Sequence, residues 1–254
     1  MIINAAPDLR QQLIENPVLW PSEEPLRNSP VQAVLLTGGE VDNVAGLLTL
    51  RERHPFAIWA TARVLTTLDA NPIFDALDRG IVERHAITLG APTEILGPEG
   101  SLGLRVTAFT VPGKVPLYLE TKSATLAGET EDTIGLEIAS GDTTFHYIPG
   151  CARVTPELRR RLEGSALVFF DGTVFTDDEM IVAGLGAKTG HRMGHMSMTG
   201  TDGSIAALND LGIARKIYIH INNSNPVLLP NAPERDVLAR SGWELAEDGM
   251  EIAL

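Results

Sequence analysis

One cysteine in 254 residues, Cys151, excludes an internal disulfide and fits a reducing compartment. Positive charge is also scarce: 20 Lys and Arg stand against 33 Asp and Glu, for a net charge of −13. That balance argues against duplex nucleic acid as a partner, because phosphates need clustered Lys and Arg. The acidity reads as solubility. No apolar run approaches the ~20 residues of a membrane span, so membrane insertion is not expected. The chain does not open on a basic stretch followed by an apolar one, so no signal peptide is expected and the location expected is cytoplasmic. Fixed-period repeats and low-complexity segments are lacking too. What is present is a 44% hydrophobic content, enough for one sizeable domain with a full core; at ~100–200 residues per domain, two are also accommodated.

Apolar periodicity divides the chain into three stretches. The first alternates strands and helices. Residues 1–6 read as the end of a buried strand, as though an earlier strand were lacking or the start site were misassigned, and 7–13 as the opening of a helix. Strands follow at 31–36 and 56–60, with helices over 44–50, 61–68 and 73–78. The Gly/Pro-rich 97–103 reads as a surface loop. The middle is strand-rich, with strands at 104–109, 115–120, 133–139 and 143–148, the last pair joined by a hairpin turn at Gly141-Asp142. The last third alternates again: helices over 156–162, 203–211 and 233–240 separate a strand at 166–170 that ends at Asp171 from one at 216–219 that ends at His220. Strands and helices arranged so predict two packed sheets with helices outside.

Residues 37–46, Thr-Gly-Gly-Glu-Val-Asp-Asn-Val-Ala-Gly, join a strand to a helix. Asp42 sits near that helix N-terminus, where a carboxylate is favoured. The metallo-β-lactamase superfamily carries Thr-His-x-His-x-Asp-His at such a turn. Here Gly38, Glu40 and Asn43 stand at the three histidine positions, and Thr37 and Asp42 remain. The turn points to the fold and away from its usual zinc hydrolysis.

Polar residues gather where the strands end: Thr37, Glu40 and Asp42 at one, Asp171 at another, His220 at a third, and Cys151 just past 143–148. Ligands bind at the carboxyl ends of strands in layered α/β proteins. Singly, Asp171 also reads as a turn cap, His220 as a core histidine and Cys151 as a small buried apolar residue. The segment 184–195 holds four glycines, Lys188, Arg192, His191 and His195. Glycines admit a close ligand approach, and the two cations suit an anionic substrate. Ala187 breaks the phosphate-loop pattern. Asn222, Asn223 and Asn225 either make side-chain turns or orient His220 or a substrate carboxylate. Asp177, Asp178 and Glu179 read as solvated or helix-capping charges, and His54, His85 and His146 receive no role.

The segments NAAPDLRQQL (4–13), VPGKVPLYLE (111–120), DGTVFTDDEM (171–180), GLGAKTGHRMG (184–194) and KIYIHINNSNP (216–226) together resemble the coenzyme PQQ synthesis protein B family of the metallo-β-lactamase superfamily. They span nearly the whole chain. The resemblance implies an α/β fold, the metallo-β-lactamase-like αββα sandwich of two packed mixed sheets with helices on the outer faces, as a single domain over 1–254. Within the superfamily it is most similar to tRNA 3′-processing ribonuclease Z. Asp42 then matches the aspartate of the first motif and His220 the last metal-binding histidine. Cys151 falls where a metal-bridging aspartate usually lies, and Asp171 with His195 resembles an acid/base pair. Many members keep a histidine where this chain has Asn43, and the family's N-terminal strand and Cys-x-Cys-x-x-Cys zinc motif are not found here.

Three functions follow from the resemblance. The first is a non-haem iron-dependent oxygenase that hydroxylates the tyrosine of a Glu-Tyr-type precursor of pyrroloquinoline quinone (PQQ). Its ligands would be Asp42 and His220 with Glu40 third, a mixed carboxylate and imidazole set that suits Fe(II), with zinc as the alternative metal. Asp171 and His195 would handle protons, Lys188 and Arg192 would hold substrate carboxylates, and Asn222 and Asn223 would complete the substrate site. The second is a non-catalytic carrier of PQQ or its precursor. The third, a zinc hydrolase, is opposed by the three replaced histidines. The partners expected are therefore a small-molecule or dipeptide PQQ precursor, or PQQ itself, with a homodimer allowed.

Overall fold

The computed structural model describes residues 1–120 and 128–254. The chain divides into two compact units, Met1–Ala108 with Val115–Thr121, and Phe109–Lys114 with Lys122–Leu254.

The first unit runs β1 (Ile2–Ile3), α1 (Leu9–Glu15), β2 (Ala33–Leu35), α2 (Val41–Val44), β3 (Phe56–Ala60), α3 (Ala62–Asp69), β4 (Val82–Ala86), β5 (Pro92–Gly97) and most of β6 (Gly100–Gly113). Strands β1 to β4 form a parallel sheet in sequence order. All five residues of β3 are buried, as expected of a central parallel strand covered on both faces. Helix α3 starts where Thr61 Oγ1 accepts the Val64 N–H, and it buries Val64 and Leu68 at helical spacing. These side chains join Leu36, Leu47, Phe56 and Ile58 in one apolar core.

The second unit contributes β7 (Gly128–Ser140), β8 (Thr143–Ile148), α4 (Pro156–Leu162), β9 (Leu167–Asp171), α5 (Glu179–Val182), α6 (Gly190–Met193), α7 (Ser204–Ala207), β10 (Arg215–Ile219), α8 (Pro233–Arg240) and β11 (Glu244–Leu245). Its strands lie in the order β11-β10-β9-β8-β7. β7 and β8 are antiparallel, and β8 to β11 are parallel. Helix α4 is specified at both ends: Thr155 caps it, Pro156 opens it, and Arg159, Arg160 and Arg161 crowd its last turn, where cations meet the negative end of the helix dipole. Phe170, Tyr218 and Trp243 anchor this unit's core, Tyr218 stacking on Trp243 at 3.9 Å.

Several expectations are corrected. Residues 115–120 are not a strand. β6 ends at Gly113, and Pro116, which has no N–H to give a ladder, leads into a single 3-10 turn over Leu117–Leu119. The 97–103 stretch is a tight hairpin, with Gly97 paired to Gly100 across a turn at Pro98 and Glu99, and 100–103 in β6. Residues 45–50 and 72–76 are 3-10 helices, and the helix expected over 203–211 shortens to α7. β4, β5 and β11 were not expected. Among the described residues no helix is long and apolar enough to cross a membrane.

His146 on β8 gives the second unit a pH dependence. Its ring is buried, with Ser165 Oγ at 3.1 Å from Nδ1, Glu137 Oε2 at 3.5 Å from Nε2 and Phe109 edge-on. Burial holds its pKa below the ordinary 6.5; Glu137 opposes this and Arg161 adds to it. The folded state therefore takes up a proton less readily than the unfolded chain. Stability from this group is complete above the ordinary pKa and is lost as pH falls below about 6.5 towards the folded value. Urea midpoints of the wild type should fall over that range more steeply than those of His146→Gln. Parallel pH profiles would assign the loss to other groups.

Candidate active site

Three parallel strands end side by side. The register pairs Ile148 with Phe170 and Ile219 with Asp171. The turn that carries Cys151 therefore follows β8 beside Asp171, and His220 is the first residue past the partner of Asp171. The fourth element comes from the Gly-rich segment. Thr189 caps α6 by accepting the Arg192 N–H, and Gly194 ends it in the left-handed region at φ 93°. A side chain at Gly194 would also meet Lys114 Cγ at 2.8 Å. The reversal turns His195 inward, and the Met196 N–H then donates to Cys151 O at 2.8 Å.

The centre of the cluster is Asp171, 0% exposed, between His195 at 19% and His220 at 31%. Its Oδ2 accepts the Cys151 N–H at 2.8 Å and lies 2.7 Å from His195 Nδ1. Its Oδ1 accepts the Thr173 N–H at 3.0 Å and the Thr173 hydroxyl at 2.6 Å. An ionised carboxylate only accepts, so His195 carries its proton on Nδ1. The single Thr173 hydroxyl proton is used on Asp171. The 2.9 Å contact between Thr173 Oγ1 and His220 Nδ1 then has the imidazole as donor. Both rings are thereby fixed with Nδ1 protonated and Nε2 carrying the lone pair. They stack at 5.2 Å and 20°.

Burial alone would raise the Asp171 pKa. The His195 charge and hydrogen bond, then His220 and Thr173, outweigh it and hold the carboxyl below its ordinary value. Cys151 is fully buried and its thiol pKa is pushed up, chiefly by desolvation and then by Asp171. It stays a neutral thiol 3.1 Å from Arg153 O. Its backbone N–H, not its sulfur, serves the cluster.

Ligand atoms of Asp171, His195 and His220 lie within 4.8 Å of one another, so the group is a candidate metal site. Its donor chemistry fits one. Metal-binding histidines are commonly held through the ring nitrogen that does not bind metal, which is how Asp171 and Thr173 hold these two. The fully used Asp171 carboxylate fits an orienting role better than direct ligation.

The other expected residues are spread over both units. Asp42 lies in the first turn of α2, and Glu40 is the residue before that helix. The Glu40 carboxylate accepts the Leu117 N–H at 3.1 and 3.2 Å, and Tyr118 OH donates to the neighbouring Gly39 O at 2.6 Å. In the second unit, Lys188 is half-buried just before α6, and Arg192 is exposed on it. Asn222 is half-buried, donating to Ser224 Oγ at 2.7 Å, and Asn223 is exposed. Two contributors were not foreseen. Thr173 was legible as the Asp-x-Thr spacing that makes local side-chain turns. Glu179 was read as a solvated or capping charge and is instead buried, accepting the Phe175 N–H and the Ser224 hydroxyl, both at 2.6 Å.

The β-lactamase superfamily domain model matches residues 1–221. Coenzyme PQQ synthesis protein B of Xanthomonas oryzae pv. oryzae is 53% identical over 255 residues, spanning 100% of this chain and 83% of that protein. The protein of the same name from Gluconacetobacter diazotrophicus is 55% identical over 253 residues, spanning 99% and 82%. Among solved structures, Zn(2+)-bound PqqB from Methylobacterium extorquens superposes with a TM-score of 0.94 at 49% identity, covering 99% of this chain and 82% of that one. The fold expected from the sequence, that of the metallo-β-lactamases, is the fold found.

Proposed function

Because the chain belongs to the coenzyme PQQ synthesis protein B family of the β-lactamase superfamily, and so has its part in PQQ biosynthesis, we propose that it is an iron-dependent oxygenase acting on the tyrosine ring of a Glu-Tyr-type precursor. The observation that supports this most is the Asp171–Thr173–His195–His220 network, which presents two imidazoles with their Nε2 lone pairs fixed. His220 would help hold the metal, and His195 beside it would be left to proton transfer. The relative from Methylobacterium extorquens was solved with Zn2+, so zinc is the competing ion. Bound there, Fe(II) would supply the oxygen chemistry.

The remaining work falls to the chain's own groups. His195 is poised as acid or base: Asp171 holds its Nδ1–H and stabilises the imidazolium when Nε2 takes a proton from the substrate. Thr173 fixes the His220 tautomer. Lys188 and Arg192 are the cations for the carboxylates of a dipeptide. One observation favours the second reading, a carrier of PQQ or its precursor: Glu40, expected as a ligand, already receives the Leu117 N–H.

Anaerobic Fe(II) binding decides between them. The wild type should bind iron stoichiometrically and His220→Ala should lose it. With Glu-Tyr and oxygen, mass spectrometry should then show the gain of one oxygen atom. Tight PQQ binding without iron in either protein would establish the carrier instead.

A further inference from the structure

We propose that Glu179 is a positioning residue for His220, acting through Ser224 to fix the imidazole that would meet the metal; the metal-binding part of this rests on the oxygenase reading above. His220 lies beyond the last rung of the β9–β10 ladder and adopts a left-handed backbone, φ 55°, which a non-glycine residue keeps only where its surroundings hold it. Those surroundings are the segment 172–179. The Asn222 N–H donates to Thr173 O at 3.1 Å, and Asn225 Nδ2 donates to Gly172 O at 3.0 Å. Both are neutral bonds.

The charged tie is Glu179. One carboxylate oxygen accepts the Phe175 N–H and the other the Ser224 hydroxyl, each at 2.6 Å. Ser224 has then given its proton away and accepts Asn222 Nδ2 at 2.7 Å. One carboxylate, 9% exposed, thus joins the strand exit that carries Asp171 and Thr173 to the turn that carries His220. Hydrogen bonds to an ionised acceptor are roughly twice as strong as neutral ones and gain further out of water. Without Glu179 the turn keeps its neutral bonds and loses the tie that opposes relaxation of the His220 backbone. The imidazole then drifts from Thr173, and its proton distributes over both ring nitrogens.

The test compares Glu179→Ala, Glu179→Gln and Ser224→Ala with the wild type. The tautomer of His220 is read by nitrogen-15 NMR of the metal-free proteins, and Co(II) and Fe(II) affinities are measured alongside. Glu179→Ala should show a mixed His220 tautomer and bind metal about 10–100-fold more weakly, the usual effect of removing a group behind a ligand. Glu179→Gln keeps an oxygen for Phe175 but loses the charge, and its NH2 can only donate to Ser224, so it should fall between wild type and Glu179→Ala in both readouts. Ser224→Ala cuts the same link with less disturbance and serves if Glu179→Ala does not fold; it should shift both readouts in the same direction. A Glu179→Ala protein of lowered Tm that keeps the wild-type tautomer and affinity would overturn the proposal. A wild type that binds no metal would sink the oxygenase reading, while the metal-free tautomer would still decide the role of Glu179.

Discussion

Asp171→Asn is expected to lower turnover about 10²–10⁴-fold, the range for removing a positioned proton-transfer group. Four donors converge on this carboxylate: the Cys151 and Thr173 N–H groups, the Thr173 hydroxyl and His195 Nδ1. An asparagine offers one oxygen and one NH2 group in the same space. With the NH2 towards His195, the ring must accept on Nδ1, and its other nitrogen becomes protonated and cannot act as a base. With the NH2 towards Thr173, the hydroxyl proton is displaced towards His220 Nδ1, and Nε2 of His220 then carries the proton that a metal ligand must lack. Either way one imidazole takes the wrong tautomer. In both orientations a buried N–H also faces another donor, which costs about 1–3 kcal/mol of stability. Oxygen-atom transfer to a Glu-Tyr dipeptide, measured with metal content, separates the two: full iron with lost turnover identifies His195, and lost iron identifies His220. A rate within a few-fold of wild type would remove Asp171 from the mechanism.

Most of this cluster was legible because parallel strands deliver their last residues to one edge. Asp171 and His220 each follow an apolar run, and strand pairing needs only to be in register to join them. His195 was legible through the company it keeps, a Gly-rich basic segment in an acidic chain. Glu179 was not, since three acidic residues in a row look like solvated charge. Only the fold shows that the third turns inward to a backbone N–H and a serine. Thr173 was passed over for a similar reason: a threonine after a strand usually serves its own turn, and here it serves two histidines as well.

The regular elements followed the same logic. β3, α4 and α8 appear where the sequence places them, β3 as an unbroken apolar run and both helices opening on a proline. The segment 115–120 misled because Val, Leu and Tyr are β-prone, whereas Pro116 decides the outcome by breaking the ladder. The Leu117 N–H that a strand would have used goes to Glu40 instead. β4 and β5 escaped notice because half of their residues are charged, polar or proline. Their pairing with β3 and β6 is set by tertiary contact, which outweighs local propensity.

Any side chain at Gly46 should destabilise the first unit and loosen the turn that carries Glu40 and Asp42. The Gly46 N–H donates to Ala5 O, Ala5 N–H to Asn43 O, and the Asn4 side chain pairs with Thr37 through both its oxygen and its nitrogen. The N-terminal segment thus lies directly over the strand–turn–helix at 37–46. A Cβ on Gly46 would stand 2.1 Å from Ala6 O, 2.9 Å from Ala5 C and 2.8 Å from Leu9 Cβ. Two of these are backbone atoms that no rotamer change can move aside, so the segment itself must shift. Overpacking of this kind costs about 1–3 kcal/mol and more for larger side chains, which for a chain of this size lowers Tm by several degrees. The shift also draws Asn4 away from Thr37, whose buried N–H it now holds at 2.8 Å. Gly46→Ala should therefore speed hydrogen exchange at Thr37 along with the loss in Tm. Gly186→Ala, whose Cβ would meet only Met180 Cε at 3.6 Å among the described residues, should change neither. If Thr37 stayed protected in Gly46→Ala, the first-motif turn would be held by its own strand and helix, and the N-terminal segment would have no part in placing Asp42.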